Sequence, residues 1–200
     1  MNASDRLKGT TVTAQVVTHT HFDDPDKALV KRAAEGDLIA FRQLYDRHHR
    51  RVYGLVMRLA GNLDTANDLT QEVFIQVWKY LANFRGDSKF STWLHTVATR
   101  VAISELRQQS RRSNHLQFIG DDQHEIEQGL THEDSADLAE LDRLIQRLPP
   151  QTRWAFVLHC IEGMRHEDVA SELGIAVGTS KAQVHRARSL LEEWLSHDSI

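Results

Sequence analysis

The stretch HEDVASELGIAVGTSKAQVHRARSLL, residues 166 to 191, places an apolar stripe with helical spacing on both sides of one glycine. That glycine is Gly174, which tolerates the left-handed backbone that turns one helix into the next. The residues of the stripe are Val169, Ala170, Leu173, Val177, Val184 and Ala187. Because Ala170 is small where two helices would cross closely, the stretch predicts a helix-turn-helix.

The second helix of this motif carries basic residues away from its apolar stripe. The residues that would face a DNA major groove are Thr179, Lys181, Ala182, His185 and Arg186. Lysine and arginine release counterions when they bind phosphates, and they read the edges of guanine. An amphipathic helix with a solvated basic face is the alternative interpretation, and the segment favours DNA binding over it.

The net charge of −4 is distributed unevenly along the chain. No lysine or arginine occurs from Ser113 to Glu140, where eight of the 28 acidic residues lie. Removing these eight leaves 20 acidic against 24 basic residues, so the flanking segments together are positive. A segment with one sign of charge and low hydrophobicity cannot bury enough surface to fold alone. We therefore predict a flexible acidic linker over residues 113–137.

Helical periodicity fills the chain on both sides of the linker, and no alternating strand pattern stands out. Residues 1–24 show no helical period and are expected to form a disordered tail. Residues 25–112 predict four helices, with Asp37 capping the second and Asp64 opening the third. A second helical unit is predicted over residues 138–200. The fold class predicted is all-α, with two small helical domains joined by the linker.

Several classes of function find no support in the sequence. No stretch approaches the roughly 20 apolar residues that cross a bilayer, and the amino end lacks a secretory signal, so we expect a cytoplasmic protein without membrane insertion. The histidine groups that invite a metal hypothesis are His19 with His21, His48 with His49, and His159 beside the single cysteine, Cys160. None has the i, i+4 pairing of a helical zinc site, so we expect neither metal nor cofactor. No phosphate loop or activated nucleophile indicates an enzyme.

Two blocks of the sequence resemble the sigma-70 superfamily of bacterial transcription initiation factors. They are DLTQEVFIQVWKYLANFRGDSKFSTWLHTVATRVAISELRQQSRR, residues 68–112, and LPPQTRWAFVLHCIEGMRHEDVASELGIAVGTSKAQVHRARSLL, residues 148–191. The resemblance is strongest to the extracytoplasmic-function group, which keeps two domains called sigma2 and sigma4. Two blocks in the right order make the signal more specific than a lone helix-turn-helix.

The resemblance implies roles for residues of the first domain. One helix face would dock on core RNA polymerase, through Asp68, Gln71, Glu72 and Ile75. The segment FRGDSKFSTWL would form the loop that captures a flipped base of the minus-ten promoter element. The residues implied at that element are Phe84, Asp87, Ser88, Lys89, Phe90, Arg100 and Arg107. For Trp93, a place in the core and stacking on DNA both remain open.

In the second domain, the resemblance implies that Thr179, Lys181, Ala182, His185 and Arg186 contact the minus-thirty-five element. The sequence departs from the family at several positions. Arg100 stands where many relatives have Asn, and Ser180 stands where Val is usual, so a buried hydroxyl would need a partner. Ala182 and Gln183 replace the common Ser and Arg, and Ala176 replaces Pro. These departures bear on the promoter sequence rather than on the function.

The function that the resemblance implies is that of a dissociable initiation subunit without catalysis of its own. Its expected partners are bacterial core RNA polymerase, promoter DNA and an anti-sigma factor that covers both domains and can hold the protein near the membrane. The acidic linker would thread near the RNA exit path of the polymerase. The alternative function is a stand-alone helix-turn-helix regulator, which would call for a sensor domain or a dimerising helix, and the first domain resembles neither.

Overall fold

The computed structural model describes residues 24–116 and 136–197, and both ranges are helical. Within them the chain forms eight α-helices and no β-strand, which confirms the all-α prediction. The helices are α1 (Lys27–Ala34), α2 (Leu38–Ala60), α3 (Leu63–Tyr80), α4 (Phe90–Leu116), α5 (Ala136–Arg147), α6 (Pro150–Phe156), α7 (His166–Leu173) and α8 (Val177–His197). A 3₁₀ turn, Leu81–Asn83, follows α3, and a π-helical turn, Val157–Ile161, follows α6. None of the helices in these two ranges is long and apolar enough to cross a membrane.

Polar groups define both ends of α2. The carboxylate of Asp37 accepts hydrogen bonds from the backbone N–H groups of Ile39 and Ala40, at 2.9 and 3.0 Å. These N–H groups have no partner within the helix, so the cap predicted at Asp37 stabilises the helix start. At the other end Gly61 takes a φ of +76°, and its N–H donates to the carbonyl of Met57.

The start of α3 differs from the prediction. Asn62, rather than Asp64, caps the helix, by accepting a hydrogen bond from the N–H of Thr65 at 2.8 Å. Asp64 lies within the first turn, where its charge suits the positive end of the helix dipole. Since only Gly61 and Asn62 separate α2 from α3, the two helices form a tight hairpin.

Helices α1 to α4 form a first bundle around one apolar core. Helix α2 is central, since it packs against α1, α3 and α4. The side chains that fill this core include Leu44, Val56, Met57, Leu59, Val73, Val77, Leu94, Ala98 and Ile103. Their helical spacing leaves the opposite faces of α3 and α4 for polar residues.

Helices α5 to α8 form a second bundle, in which α8 packs against α5, α6 and α7. Pro150 is the first residue of α6, where the missing N–H of proline breaks no helical hydrogen bond. Gly174 joins α7 to α8 with a φ of +61°, as the helix-turn-helix prediction requires.

The two bundles are in contact, which the sequence did not predict. Helices α5 and α6 pack against α2, and apolar residues of both bundles form one continuous cluster. The buried guanidinium of Arg153 donates to the carbonyls of Leu59, Ala60 and Gln146, at 3.2, 2.8 and 2.8 Å. Trp154 Nε1 also donates to the carbonyl of Leu59, at 3.1 Å. Burial lowers the pKa of Arg153 to about 10, so it stays charged at neutral pH.

The position of Arg153 gives a second reason why residue 61 is a glycine. The guanidinium lies at the carboxyl ends of α2 and α5, which carry the negative ends of their dipoles. A Cβ on residue 61 would overlap this guanidinium, so the glycine leaves space for the arginine as well as ending α2.

The predicted boundaries between the domains are only partly covered by the structure. Helix α4 continues to Leu116, four residues into the predicted linker, and α5 begins at Ala136, before the predicted linker end. The remaining linker residues, 117–135, and the predicted tail up to residue 23 lie outside the described residues.

Candidate functional site

The second helix of the helix-turn-helix, α8, presents one polar and one apolar face. The five residues that the sequence assigns to DNA contact, Thr179, Lys181, Ala182, His185 and Arg186, are all exposed. The opposite face is buried, with Ser180 and Ala187 fully inaccessible and Val184 nearly so. The structure therefore brings the predicted contact residues together on one solvent-facing surface, which we call the α8 face.

Ser180 has the hydrogen-bond partner that its burial requires. Its hydroxyl lies 3.1 Å from His166 Nδ1 at the start of α7. The His166 ring stacks on the ring of His159, with 3.8 Å between centroids, and His159 donates to the carbonyl of Met164. Desolvation, with the neighbouring His159 and Lys181, lowers the pKa of His166 below its ordinary value.

Helix α3 carries a polar surface on the side away from the core, which we call the α3 face. Of the residues predicted to bind the polymerase, Asp68, Gln71 and Ile75 are exposed and Glu72 is half-buried. Ile75 is 47% exposed, which is high for a side chain of its size. The exposed ring of Trp78 continues this surface toward α2, where it meets the Phe41 ring at 4.8 Å. Trp78 lies one turn after the predicted residues and was not among them.

The segment between α3 and α4, residues 84–89, forms the α3–α4 loop. Its polar residues Asp87 and Lys89 are exposed, and Gly86 has a φ of +76° in the turn. Phe84 is half-buried and packs against Phe90 and against Trp93, with 6.1 and 5.3 Å between ring centroids. The loop therefore combines exposed polar groups with an aromatic wall.

Two aromatic residues at the start of α4, Phe90 and Trp93, form the inner part of this wall. Phe90 is 1% exposed, so its ring belongs to the core, and it supports Phe84 from behind instead of lining the loop surface. Trp93 is half-buried and contacts both phenylalanines, so it joins this aromatic cluster. Ser88, also assigned to the minus-ten element, is half-buried in the same loop.

The two arginines predicted at the minus-ten element lie on α4 and face α7 of the second bundle. Arg107 Nη1 donates to the carbonyl of Glu172 at 3.3 Å, and Arg100 Nε lies 3.9 Å from the carboxylate of the same residue. A Cβ on Gly174 would lie 2.8 Å from Arg107 Nη2, so the packing is close. In this arrangement the second bundle contacts both arginines.

A cavity of about 250 Å³ lies where the bundles meet, between α2, α4 and the end of the π-helical turn. Its wall includes His95, whose Nε2 donates to the carboxylate of Glu162 at 2.7 Å. This hydrogen bond holds the pKa of Glu162 below its ordinary value. The contact is a further polar connection between the bundles.

The described residues contain no group of three or more histidine, cysteine, aspartate or glutamate side chains placed to hold a metal ion. His48 is engaged with Asp26, at 2.7 Å, and His159 with the carbonyl of Met164. His19 and His21 lie outside the described residues.

Comparison with known proteins relates both bundles to one family. The profile of Sigma-70 region 2 matches residues 44–112, and that of Sigma-70, region 4 matches residues 138–191. The chain is 33% identical to the ECF RNA polymerase sigma-E factor of Haemophilus influenzae, over 84% of this chain and 93% of the relative. It is 32% identical to the RNA polymerase sigma-H factor of Pseudomonas aeruginosa, over 86% and 94%.

Two solved structures are also similar. The sigma factor RpoE of Bartonella quintana, in complex with the anti-sigma factor NepR, matches with a TM-score of 0.55 at 26% identity. This match covers 78% of the present chain and 96% of the other. CnrH, in complex with the cytosolic domain of CnrY, matches with a TM-score of 0.51 at 28% identity, over 88% and 99% of the two chains.

Proposed function

Because the chain belongs to the extracytoplasmic-function group of sigma-70 factors, we propose that it is an alternative sigma factor. It binds core RNA polymerase and directs promoter-specific transcription initiation. The observation that carries this function is the presence of both sigma-70 regions, in order, on two bundles with exposed polar faces. The polymerase supplies the chemistry, so the sigma factor itself is not an enzyme, and it acts in the cytoplasm with the polymerase.

The α3 face is the surface that we assign to the polymerase. Asp68, Gln71 and Glu72 offer a polar, acidic surface, and the exposed Ile75 adds apolar area. Acidic and apolar groups on one rigid helix suit a partner surface that is basic around an apolar centre. Trp78 extends the same surface and belongs to the proposed contact.

The α3–α4 loop and the adjoining part of α4 are the surface that we assign to the minus-ten element. A base that leaves the duplex needs an apolar wall and polar groups at its edge. Phe84 supplies the wall, Asp87, Ser88 and Lys89 supply polar groups, and Phe90 holds the wall in place. Arg100 and Arg107 would contact the same strand once they are free of Glu172.

The α8 face is the surface that we assign to the minus-thirty-five element. Lys181 and Arg186 are exposed on successive turns beside Thr179, Ala182 and His185, where a recognition helix meets base edges and phosphates. Lys181 and Arg186 are the only two of these five residues with a permanent positive charge. We therefore expect contacts with the minus-thirty-five element to add only modestly to the affinity of the protein for promoter DNA.

The functional domains that we propose are those of the sequence analysis. Residues 25–112 form the sigma2-like domain, which binds core polymerase and the minus-ten element, and residues 138–200 form the sigma4-like domain for the minus-thirty-five element. Residues 113–137 act as the acidic linker that lets the two surfaces reach their separate DNA elements.

An anti-sigma factor is the regulatory partner that the comparisons support. One of the two similar structures is a sigma factor bound to an anti-sigma factor, and the other is a complex with a cytosolic domain. We propose that the present chain is controlled in the same way. A stand-alone helix-turn-helix regulator would leave the match of residues 44–112 to Sigma-70 region 2 unexplained.

Transcription in vitro tests the function directly. Fragmented genomic DNA from the bacterium that encodes the protein is transcribed by its purified core polymerase, with and without the full-length protein. The starts of the transcripts are then sequenced. We expect discrete new starts that share two spaced upstream motifs. The absence of new starts, with DNA binding by the protein alone, would instead support the regulator.

A further inference from the structure

The turn before α1 is tied to the start of α4. Asp24 Oδ2 accepts a hydrogen bond from the backbone N–H of Phe90 at 2.6 Å, across 66 residues of sequence. Its other oxygen, Oδ1, accepts from the N–H of Asp26 at 3.0 Å. One carboxylate therefore joins the amino-terminal turn to the helix that follows the α3–α4 loop.

This hydrogen bond satisfies a group that α4 cannot satisfy itself. Phe90 is the first residue of the helix, and the first N–H groups of a helix have no partner within it. A carboxylate at this point also suits the positive end of the helix dipole. Asp24 thus does for α4, from a distant part of the chain, what Asp37 does for α2 from the adjacent position.

A second connection reaches the same phenylalanine. Asp26 is 2% exposed and accepts hydrogen bonds from Arg47 and from His48 Nε2. The His48 ring meets the Phe90 ring edge to face, with 5.4 Å between centroids. Because Phe90 in turn packs against Phe84, the start of α4 links the turn before α1 to the first residue of the α3–α4 loop.

We propose that Asp24 is a positioning residue for minus-ten recognition: it fixes the start of α4 and so holds the α3–α4 loop in the shape that receives a base. The inference rests on the proposed function, because the loop shape matters only where the loop meets promoter DNA. Asp24 acts through Phe90 and does not itself contact DNA. A loop already held in its bound shape loses less entropy on binding, so the contact contributes to promoter opening.

The test compares two templates that carry one promoter found in the transcription experiment. One template is fully paired, and in the other the minus-ten region is kept unpaired by mismatches. Holoenzyme with Asp24→Ala is expected to form open complexes about tenfold less on the paired template, the factor that 1.4 kcal/mol represents at 25 °C. The loss on the unpaired template should be much smaller, because that template needs no base capture to open. Capture of core polymerase should equal that of the wild type.

Two further variants separate positioning from stability. Asp37→Ala removes a cap of the same kind from the start of α2, three turns before His48, and should lower the unfolding temperature without changing the ratio between the templates. Asp24→Asn keeps one acceptor oxygen where the N–H groups of Asp26 and Phe90 each need one, so its ratio should lie between those of the wild type and Asp24→Ala. If Asp24→Ala and Asp37→Ala give the same ratio, the contact is only structural and the proposal fails.

The design also distinguishes failure of the inference from failure of the proposed function. Should Asp24→Ala not fold, Asp24→Glu keeps the carboxylate but displaces it by one methylene, and a wild-type ratio in this variant would overturn the positioning role. Wild-type protein that gives no transcripts from either template rejects the proposed function. Wild-type protein active on both templates, with an unchanged ratio for Asp24→Ala, rejects only the inference.

Discussion

Ser180 illustrates how a single polar side chain is accommodated inside the helix-turn-helix. A buried hydroxyl without a partner costs about 1–3 kcal/mol, and the ring of His166 removes that cost by a hydrogen bond across the turn. The same ring stacks on His159 and lies close to Lys181, so a positive charge on it is unfavourable. Protonation of one residue is therefore coupled to the packing of α7 on α8.

A pH dependence follows from the lowered pKa of His166. The folded protein binds fewer protons at this residue than the unfolded chain, so acid favours unfolding. We expect the free energy of unfolding to fall as the pH drops through the ordinary histidine range, near about 6.5, and to level off below the folded pKa. Urea titrations at neutral pH and about one unit below that range would measure the change.

Two substitutions test whether His166 causes this pH dependence of stability. His166→Gln should reduce the loss of stability in acid, because the titrating group is gone. His185→Gln changes an exposed histidine of α8 and should keep the wild-type loss. Equal pH dependence in the wild type and His166→Gln would contradict the assignment.

At the scale of the helix, α8 separates its two tasks by face. Replacing Lys181 and Arg186 by Ala leaves the buried face intact, so the fold and the capture of core polymerase should be unchanged. A lost arginine contact to a base costs about 1–3 kcal/mol, and a lost phosphate contact weakens binding to all sequences and reduces its salt dependence, so promoter binding by the holoenzyme should weaken. Filter binding at two salt concentrations measures both the affinity and the salt dependence. Arg143→Ala, at an exposed arginine of α5, is the matched control, and loss of polymerase capture in the double variant would mean that α8 has a structural role.

The α3 face gives a second prediction for one helix. Glu72→Lys reverses the charge at the centre of the proposed polymerase surface, so we expect a lower yield in pull-down of core polymerase. Circular dichroism should show an unchanged helix content, because Glu72 is only half-buried. Glu193→Lys makes the same charge change on α8 and should leave the yield unaltered. Normal capture by Glu72→Lys would remove α3 from the polymerase contact.

The helices were largely predictable because their signals are local. The cap at Asp37 and the turn at Gly174 depend on neighbouring residues, and the sequence predicts both. The start of α3 was predicted one residue late, at Asp64 instead of Leu63, since Asn62 and Asp64 are both acceptable caps and only the backbone geometry decides between them. The depth of Phe90 was not predictable, because its spacing does not reveal that Phe84 lies in front of it.

At the scale of the whole molecule, Arg153 is the residue that connects the bundles. Arg153→Met keeps much of the side-chain volume but removes the side-chain donor to the carbonyls of Ala60 and Gln146, at about 1–3 kcal/mol for each, while Leu59 keeps its bond from Trp154. We expect the bundles to separate more readily, which small-angle X-ray scattering would detect as a larger radius of gyration. Trp154→Phe, which removes only one donor to Leu59, should have a smaller effect. An unchanged radius in Arg153→Met would show that apolar packing alone holds the bundles together.

The contacts between the bundles, and the Asp24 connection, were not predictable from the sequence. Arg153 and Leu59 are 94 residues apart, and Asp24 and Phe90 are 66 apart, so no periodic pattern reports either pair. Arginine and aspartate are most often solvated, and the backbone groups that bind Arg153 and Asp24 here carry no sequence signature. The candidate surfaces could be predicted because helical spacing and the resemblance both identify exposed faces, whereas the residues that hold those surfaces in place could not.

The distance along the chain between Gly61 and Arg153 also affects the order of events during synthesis. The carboxyl end of α2 leaves the ribosome long before the arginine that binds its carbonyls, which follows Leu59 by 94 residues. At roughly 5–20 residues per second, this interval is several seconds. In the nascent chain, water must hydrate those carbonyls and occupy the space above Gly61. Docking of the second bundle is therefore a late, dehydrating step, completed only after translation has passed residue 153.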